Sequence, residues 1–391
     1  MPSPRDRQAR VATYVVYAVQ GLSFASLLIQ VANLQAKHGL DEGTLTILLL
    51  IVPVFAGVGS VAAGAFAARM GSKLLLRIAQ PVVAVAVALA GLAPNVPLLV
   101  PVLLVFGVAV GAVDAGINMQ GVAVERRYGM QVLNGFHCVW SVFGLAAALW
   151  ASAAAGLPLP LVMTLPMVLA VAGTLYAGPR LCTKNEETVD TTSGATASPA
   201  TGFPWRPIIP LCLAMAFLYV GDAAVSNFNT VYMKDVLAAS PAVIPLAYAA
   251  YQAATLAVRL GGDLAARRYG PAAIVRVGGA LATLGFLGVV LAPSQPLGIV
   301  AFGLTGMGLA VVAPQSFSAA GKLDPAGTGV AIARVNLFNY VGFIVGAALV
   351  GVVADVTDMR TAFTAPLVLA AAIITLAPAF QPRPTPEPHQ A

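Results

Sequence analysis

Long apolar stretches separated by short polar segments run along almost the whole chain. Each stretch is close to the roughly 20 apolar residues that a helix needs to cross a bilayer. The pattern predicts twelve membrane-spanning helices, at about residues 11–36, 44–68, 74–93, 97–124, 132–156, 158–178, 207–233, 241–266, 272–292, 296–320, 328–354 and 360–379. The chain is therefore predicted to be an all-α membrane protein.

The charges of this 391-residue chain are few and unevenly distributed. Charged residues make up 9% of the chain, whereas soluble domains carry roughly 25%, so a water-soluble fold could not cover its surface. With the N-terminus inside, every Lys and Arg except Lys37, Lys234 and Arg360 falls in an inside segment or at an inside helix end. This asymmetry follows the positive-inside rule. It predicts a multi-pass protein of the cell membrane, with both termini in the cytoplasm.

Composition also limits the partners that we expect. The 21 basic and 15 acidic residues leave a positive excess, which suits contact with anionic lipid headgroups. No cationic run is interleaved with aromatic residues, so nucleic acid is not expected. The three Cys and three His residues are scattered, which predicts neither a disulfide nor a metal site. No Gly-rich Lys loop of the nucleotide-binding kind is present, and no cofactor is expected.

The polar composition of residues 180–204 divides the spans into six and six. It predicts an N-terminal bundle at 1–180, a flexible cytoplasmic linker at 181–205 and a C-terminal bundle at 206–380. The Pro-rich residues 381–391 are predicted to be a disordered tail. The halves repeat local patterns: Arg69-x-Gly and Asn134-x-x-His137 recur as Arg268-x-Gly and Asn336-x-x-Asn339. The repeats predict two pseudo-symmetric six-helix bundles.

Two motifs resemble a known family. The loop Gly64-Ala-Phe-Ala-Ala68-Arg69-Met70-Gly71-Ser72-Lys73 resembles the signature between the second and third spans of the major facilitator superfamily (MFS). Ala68 stands where that signature has an acid, which normally joins a charge network between helices. The run from Asp114 to Ser141 resembles bacterial carriers near the fucose-permease branch. The resemblance implies the MFS fold and secondary transport by alternating access.

Two acids lie deep in predicted spans. Asp114 is 11 residues before Glu125, so it lies about 16 Å from the inside end of its helix. Asp222 is 16 residues beyond Arg206, or about 24 Å. Because desolvation favours the protonated form of a carboxylate, either acid could couple transport to protons. The alternative for each is an acid of fixed protonation that hydrogen-bonds a neighbouring helix.

Polar and aromatic residues on several spans are predicted to bind the substrate. These candidates are Tyr17, Gln20, Phe24, Asn118, Asn227, Tyr248, Tyr251, Gln252 and Gln315. Aromatic and amide groups suit neutral or amphipathic organic solutes, and no Lys or Arg is expected at depth to pair with an anion. Asn118 lies one turn from Asp114 and could instead serve only as a polar contact between helices.

A second set of residues is predicted to form an inner gate and charge network. Its members are Arg69, Arg77, Glu125, Arg126, Asn134, His137, Trp140, Arg259, Asp263, Arg268, Asn336 and Asn339. His137 could relay protons, but its repeat counterpart Asn339 cannot titrate, which favours a role in the gate. Arg259 is expected to join Asp263 in this network.

These patterns predict a proton-driven, monomeric transporter of a small organic molecule. The apolar and aromatic lining favours export, and the resemblance to sugar permeases supports uptake by proton symport as the alternative. A membrane-embedded enzyme is a second class, but no catalytic group is expected, because its nearest signal is the pair His137 and Ser141, four residues apart. A non-transporting receptor or scaffold is a third class, and the missing acid at Ala68 leaves room for it.

Overall fold

The structure is a computed structural model that describes residues 2–154, 156–188, 204–240, 243–324 and 326–381. Within these ranges the regular structure is helical throughout. The helices before residue 188 are α1 (Pro4–Leu28), α2 (Val31–His38), α3 (Glu42–Met70), α4 (Ser72–Leu92), α5 (Val96–Tyr128), α6 (Leu133–Ala153), α7 (Leu159–Ala177) and α8 (Lys184–Glu187). A short 3₁₀ turn at Gly178–Arg180 follows α7.

The second half of the chain repeats this order of helices. They are α9 (Ile209–Val231), α10 (Ile244–Tyr269), α11 (Pro271–Leu291), α12 (Gln295–Leu309), α13 (Val312–Leu323), α14 (Val330–Val356), α15 (Met359–Ala362) and α16 (Thr364–Leu376). A π-helical turn, Tyr232–Val236, continues α9, and a 3₁₀ turn, Ala377–Phe380, continues α16. The all-α fold predicted from the sequence is confirmed.

Each predicted span coincides with a helix or with two consecutive helices. In the described ranges, eleven helical segments are long and apolar enough to cross a membrane. The one predicted span outside that group coincides with α10, which has 26 residues but a more polar sequence that includes Gln252 and Arg259. The first and tenth predicted spans are each interrupted, near Gln30 and near Ala310.

Helix packing in the first half recurs in the second. Helix α1 packs on α6, α3 on α5, and α4 on α7, and the corresponding pairs α9–α14, α10–α12 and α11–α16 pack likewise. Between the halves, the main contacts join α3 to α14 and α6 to α10. The chain therefore folds as two six-helix bundles related by pseudo-symmetry. We call the end where α1 begins and α7 ends the linker end, and the opposite end the far end.

Small residues bring α3 and α5 into direct backbone contact. A Cβ atom on Gly111 would lie 1.8 Å from the carbonyl oxygen of Ala56, and one on Gly59 would lie 2.0 Å from the carbonyl oxygen of Val108. Such close approach is how membrane helices gain packing energy, since lipid supplies no hydrophobic driving force between them. The spacing of α3 and α5 therefore depends on glycine at both crossings.

We expect Gly111→Ala to destabilise the first half. The added methyl group cannot fit without separating α3 from α5, and overpacking of this kind costs about 1–3 kcal/mol. Thermal unfolding of the purified protein in detergent would show a lower midpoint. Gly261→Ala is the matched control, because a Cβ atom there meets nothing within 4 Å. Equal melting midpoints for the two variants would contradict the prediction.

The segment that follows α7 packs onto the first half. Leu181 and Cys182 are fully buried, and Thr183 forms a capping box with Glu186. Arg5 donates to Glu186 at 2.8 Å, and this hydrogen bond is the main reason that the pKa of the Glu186 carboxyl is lowered to about 2. The expected flexibility of the linker therefore does not hold for residues 181–188. Residues 189–203 and 382–391 lie outside the described ranges, so the domain boundaries and the disordered tail stay predictions.

Candidate functional site

Asp114 lies half-buried on α5 and is bonded to both halves of the protein. Its Oδ1 accepts a hydrogen bond from Gln20 Nε2 on α1 at 2.7 Å. Its Oδ2 accepts a hydrogen bond from the Tyr340 hydroxyl on α14. Gln20 belongs to the same half as Asp114, whereas Tyr340 belongs to the other. The protonation state of this carboxyl therefore bears directly on a contact between the halves.

Asn118 and Tyr17 lie inside the first half, next to Asp114. The Tyr17 hydroxyl donates to Asn118 Oδ1 at 2.9 Å, and Asn118 Nδ2 donates to the backbone oxygen of Asp114 at 2.7 Å. Both side chains are buried, Tyr17 fully so. This geometry favours the role of Asn118 as a polar contact between helices, the alternative that the sequence left open.

A second acidic cluster lies in the other half. The Tyr251 hydroxyl on α10 donates to Asp222 Oδ1 on α9 at 2.5 Å, and the Tyr248 ring lies 6.1 Å from the Tyr251 ring. Asp222 is half-buried, as Asp114 is. The two deep acids thus have the same kind of partner, a tyrosine hydroxyl, but only Asp114 bonds across the halves.

The remaining substrate candidates do not join either cluster. Asn227 is exposed and donates to Ala223 O on its own helix at 2.8 Å. Gln252 is also exposed. Gln315 is buried, and its Oε1 has no hydrogen-bond partner in the described ranges. Phe24 packs against Trp140, with the ring centres 6.1 Å apart.

At the linker end, Asp263 of the second half caps a helix of the first. Its Oδ1 accepts from Asn134 N at 3.0 Å and Asn134 Nδ2 at 2.9 Å, and its Oδ2 accepts from Gly135 N at 3.0 Å. These backbone groups belong to the first turn of α6, whose N–H groups have no partner within the helix. A carboxylate is stabilised there by the helix dipole. Asp263 thus closes the interface between α6 and α10.

Glu125 and Arg126 connect α5 to the second half at the same end. Glu125 accepts from Ser318 Oγ and, at 3.0 Å, from Val132 N. Arg126 donates to the backbone oxygen of Gly321 and, at 2.7 Å, to that of Asp324. Both residues therefore hold the end of α5 against α13 and the turn that follows it.

Asn336 of α14 donates to Ser60 Oγ of α3 at 3.0 Å, and Ser60 Oγ donates to Ala333 O at 3.0 Å. Asn339 is half-buried, and no hydrogen bond joins it to the described residues. His137 packs between Tyr17, 5.3 Å away between ring centres, and Phe317, 6.2 Å away. Asn134, Asn336 and His137 thus lie where the two halves meet.

Three basic residues of the predicted network lie outside the interface between the halves. Arg69, Arg77 and Arg268 are exposed. The backbone oxygen of Arg69 accepts from Lys184 Nζ at 2.7 Å, Arg77 packs on Gly178, and Arg268 lies over the Tyr269 ring. The structure therefore does not bring these guanidinium groups together with the other half.

The expected pairing of Arg259 with Asp263 does not form. Arg259 Nη1 instead donates to Ser141 Oγ at 2.5 Å. The oxygens of Asp263 are taken by the first turn of α6, one helical turn nearer the linker end. Sequence spacing placed both residues on one face of α10, but it could not show that the long Arg side chain extends in the opposite direction.

Sequence reasoning also missed a buried acid in the ordered part of the linker. Glu187 is 6% exposed, and its Oε1 accepts from Ser72 Oγ at 2.8 Å and from Gln120 Nε2 at 3.0 Å. Gln120 also accepts from Cys182 N at 2.9 Å. The nearest signal was the Thr183-x-x-Glu186 capping pattern, which marks the short helix that carries Glu187. Gln120 thus fastens the linker to the first half.

We expect Glu187 to make stability depend on pH. Burial raises its pKa from 4.5 to about 7, against the opposing effect of the Ser72 hydrogen bonds. The unfolded chain releases this proton near pH 4.5 and the folded chain only near pH 7, so the stabilisation is full below pH 4.5 and is lost as the pH rises through 7. In thermal melts, the midpoint of Glu187→Gln should fall less between pH 5 and pH 8 than that of the unchanged protein. Parallel curves would contradict the prediction.

Comparison with known proteins assigns this architecture to a family. The family model "Major Facilitator Superfamily" matches residues 211–391. The uncharacterized transporter y4wD of Sinorhizobium fredii is 28% identical over 370 residues, which cover 93% of this chain and 96% of that protein. An uncharacterized MFS-type transporter of Yersinia pestis is 28% identical over 364 residues, covering 90% and 91% of the two chains. The second half of this chain thus matches the major facilitator superfamily, and its whole length resembles transporters of that kind.

Solved structures of other MFS proteins share its fold. The MFS transporter FucP in its outward conformation superposes with a TM-score of 0.79 at 14% identity, over 95% of this chain and 98% of FucP. The human organic anion transporter MFSD10 gives 0.76 at 14% identity, over 96% and 100% of the two chains. The protein thus has the fold of multi-pass membrane transporters.

Proposed function

We propose that this MFS protein is a secondary transporter that exports a small organic molecule in exchange for protons. The bonding of Asp114 to both halves carries the proposal. An ionised Asp114 accepts the Tyr340 hydrogen bond with a full negative charge, and such charge-assisted bonds are about twice as strong as neutral ones. Protonation weakens this bond between α5 and α14, so proton binding favours separation of the halves near the site.

The contacts between halves fit alternating access. The hydrogen bonds that join Asp263, Glu125 and Arg126 to the opposite half all lie at the linker end. The half-buried acids Asp114 and Asp222 lie deeper along their helices. A conformation that is closed at the linker end and releases its solute at the far end is one of the two states that such a mechanism requires.

We further propose that the linker end faces the cytoplasm of a bacterial-type cell membrane. Arg5, Arg126 and Arg268 are among the basic residues at this end, and the positive-inside rule then places both termini inside. Exposed apolar side chains such as Leu260, at 72%, and Leu169, at 69%, would contact lipid. A monomer suffices for this proposal, since both deep acids belong to one chain.

Uptake together with a proton is the second candidate. The observation that favours it is the fold shared with the Escherichia coli fucose:proton symporter FucP, matched with a TM-score of 0.75 at 16% identity. Proton symport and antiport can use the same buried acid, because each requires only that its protonation be linked to the solute site.

Reconstituted vesicles with an imposed proton gradient separate the candidates. A panel of radiolabelled organic solutes is added to both sides, and accumulation is compared with that in protein-free vesicles. Export by exchange predicts accumulation on the acidic side. Solute accumulation on the alkaline side would contradict export and support proton symport instead. Solute flux that does not depend on the proton gradient would overturn proton coupling.

A further inference from the structure

The guanidinium group of Arg259 lies deep between the two halves. Its hydrogen-bond partner Ser141 is eight residues beyond Leu133, the first residue of α6, so the contact is about 12 Å along that helix from the linker end. Asp114 lies at a similar depth, about 16 Å from Glu125. The sequence-based expectation that no cation reaches this depth is therefore wrong.

No acid neutralises Arg259 by direct contact. Within the described ranges, the ion pairs are Arg5–Glu186 and Arg127–Asp6. Asp263 is engaged by α6, and Arg259 Nε is buried without a hydrogen-bond partner. A guanidinium has five N–H donors, and the hydroxyl of Ser141 accepts from one of them. A guanidinium without an acidic partner inside a membrane bundle is energetically costly, and such a group indicates a functional site.

Polar groups of the first half lie beside this cation. His137 is one turn before Ser141 on the same face of α6, and its Nε2 is buried without a partner in the described ranges. The charge of Arg259 interacts with His137 and also with Asp222. The Ser141 hydroxyl donates to the backbone oxygen of His137 at 3.1 Å, so the donors open to an anion are the unused N–H groups of Arg259 and the Nε2–H of a neutral His137. Trp140, the residue before Ser141 on α6, packs its ring against Phe24 of α1.

We propose that the transported solute carries a carboxylate, and that Arg259 binds this group together with His137. One guanidinium matches one carboxylate in charge and can donate two parallel hydrogen bonds to it. The aromatic rings of Phe24 and Trp140 suit an apolar or aromatic body attached to that group. This inference rests on the proposed transport function, because it assigns the substrate class of the same central site.

Ligand binding to the purified full-length protein tests the proposal without any transport measurement. The probes are benzoate, phenylacetate, indole-3-acetate and hexanoate, each paired with its neutral amide, and the readouts are thermal stabilisation and quenching of tryptophan fluorescence. We expect at least one carboxylate to bind and its amide to bind at least about tenfold more weakly, because the amide lacks the charge that Arg259 pairs with.

Two variants test whether Arg259 is the residue that binds the carboxylate. Arg259→Gln should weaken carboxylate binding at least about tenfold, and Arg259→Lys should retain part of it, since lysine keeps the charge but not the planar fork. Arg276→Gln, an exposed position on α11, removes the same charge and should bind as the unchanged protein does. All variants are first checked for a single monodisperse peak in gel filtration.

The inference is overturned if no carboxylate binds, if each amide binds as well as its acid, or if Arg259→Gln binds the acids normally. If the protein binds carboxylates through Arg259 but shows no proton-driven flux, the proposed proton coupling is overturned instead. Flux of a neutral solute that Arg259→Gln leaves unchanged would overturn the substrate class alone. The two proposals therefore fail in distinguishable ways.

Discussion

Replacement of Asp114 by asparagine should abolish proton-driven transport while leaving exchange of solute for solute. Asparagine keeps the size of the side chain and can still bond Gln20 and Tyr340, but it cannot take up or release a proton. We expect driven flux to fall by about two orders of magnitude, the range found when a positioned proton-transfer group is removed. Flux into vesicles, with and without a proton gradient, measures the effect.

Asp355→Asn provides the matched control, since this acid is exposed near the far end of α14. Its driven flux should equal that of the unchanged protein. Asp222→Asn is the informative comparison, because Asp222 has a tyrosine partner but no bond across the halves. Driven flux that survives in Asp114→Asn and is lost in Asp222→Asn would transfer the coupling role to Asp222.

Replacement of Asp263 by alanine should open the linker end. The change removes the acceptor for Asn134 N, Asn134 Nδ2 and Gly135 N and leaves the first turn of α6 unpaired. Leaving such groups unsatisfied costs about 1–3 kcal/mol, which corresponds to a shift of about 5–150-fold toward the open state. The expected phenotype is a large change in conformational population without loss of the fold.

Spin labels at Met130 and Tyr269 would detect this shift. Both residues are exposed at the linker end, one in each half, so the distance between the labels should lengthen in Asp263→Ala. The native cysteines Cys138, Cys182 and Cys212 are buried and would compete little for the label. Asp355→Ala should leave the distance distribution unchanged. An unchanged distribution in Asp263→Ala would show that this cap does not hold the halves together.

Features with a long-range signal in the sequence were predictable. Twelve apolar stretches gave the helices, because the length of a span is set by the bilayer and needs no tertiary information. The repeat of Asn134-x-x-His137 as Asn336-x-x-Asn339 pointed to interface residues, since pseudo-symmetry puts equivalent positions at equivalent contacts. Asp114 was identifiable because an acid in an apolar helix is rare.

Features that depend on side-chain direction or on single contacts were not predictable. Tyr340 has no distinguishing neighbour in the sequence, although its hydroxyl reaches Asp114. Arg259 and Asp263 are four residues apart on one helix face, which suggested a pair, but each contacts a different part of α6. The order of residues 181–188 comes from contacts with Ser72, Gln120 and Arg5, distant residues that composition cannot reveal.

Different hydrogen bonds hold the two sides of the interface between the halves, the α6–α10 side and the α3–α14 side. On one side Asp263 joins α10 to α6 through a charged cap, whereas on the other Asp324 holds the turn before α14 within its own half, accepting from Thr328 N at 3.2 Å and Gly329 N at 2.9 Å. There α3 and α14 meet through the neutral hydrogen bonds of Ser60, and Arg126 of α5 holds the turn before α14. We therefore expect α3 and α14 to separate first when the linker end opens. The contact between α6 and α10 would then act as the hinge about which the two halves rotate. A solute would then enter or leave from one flank of the protein.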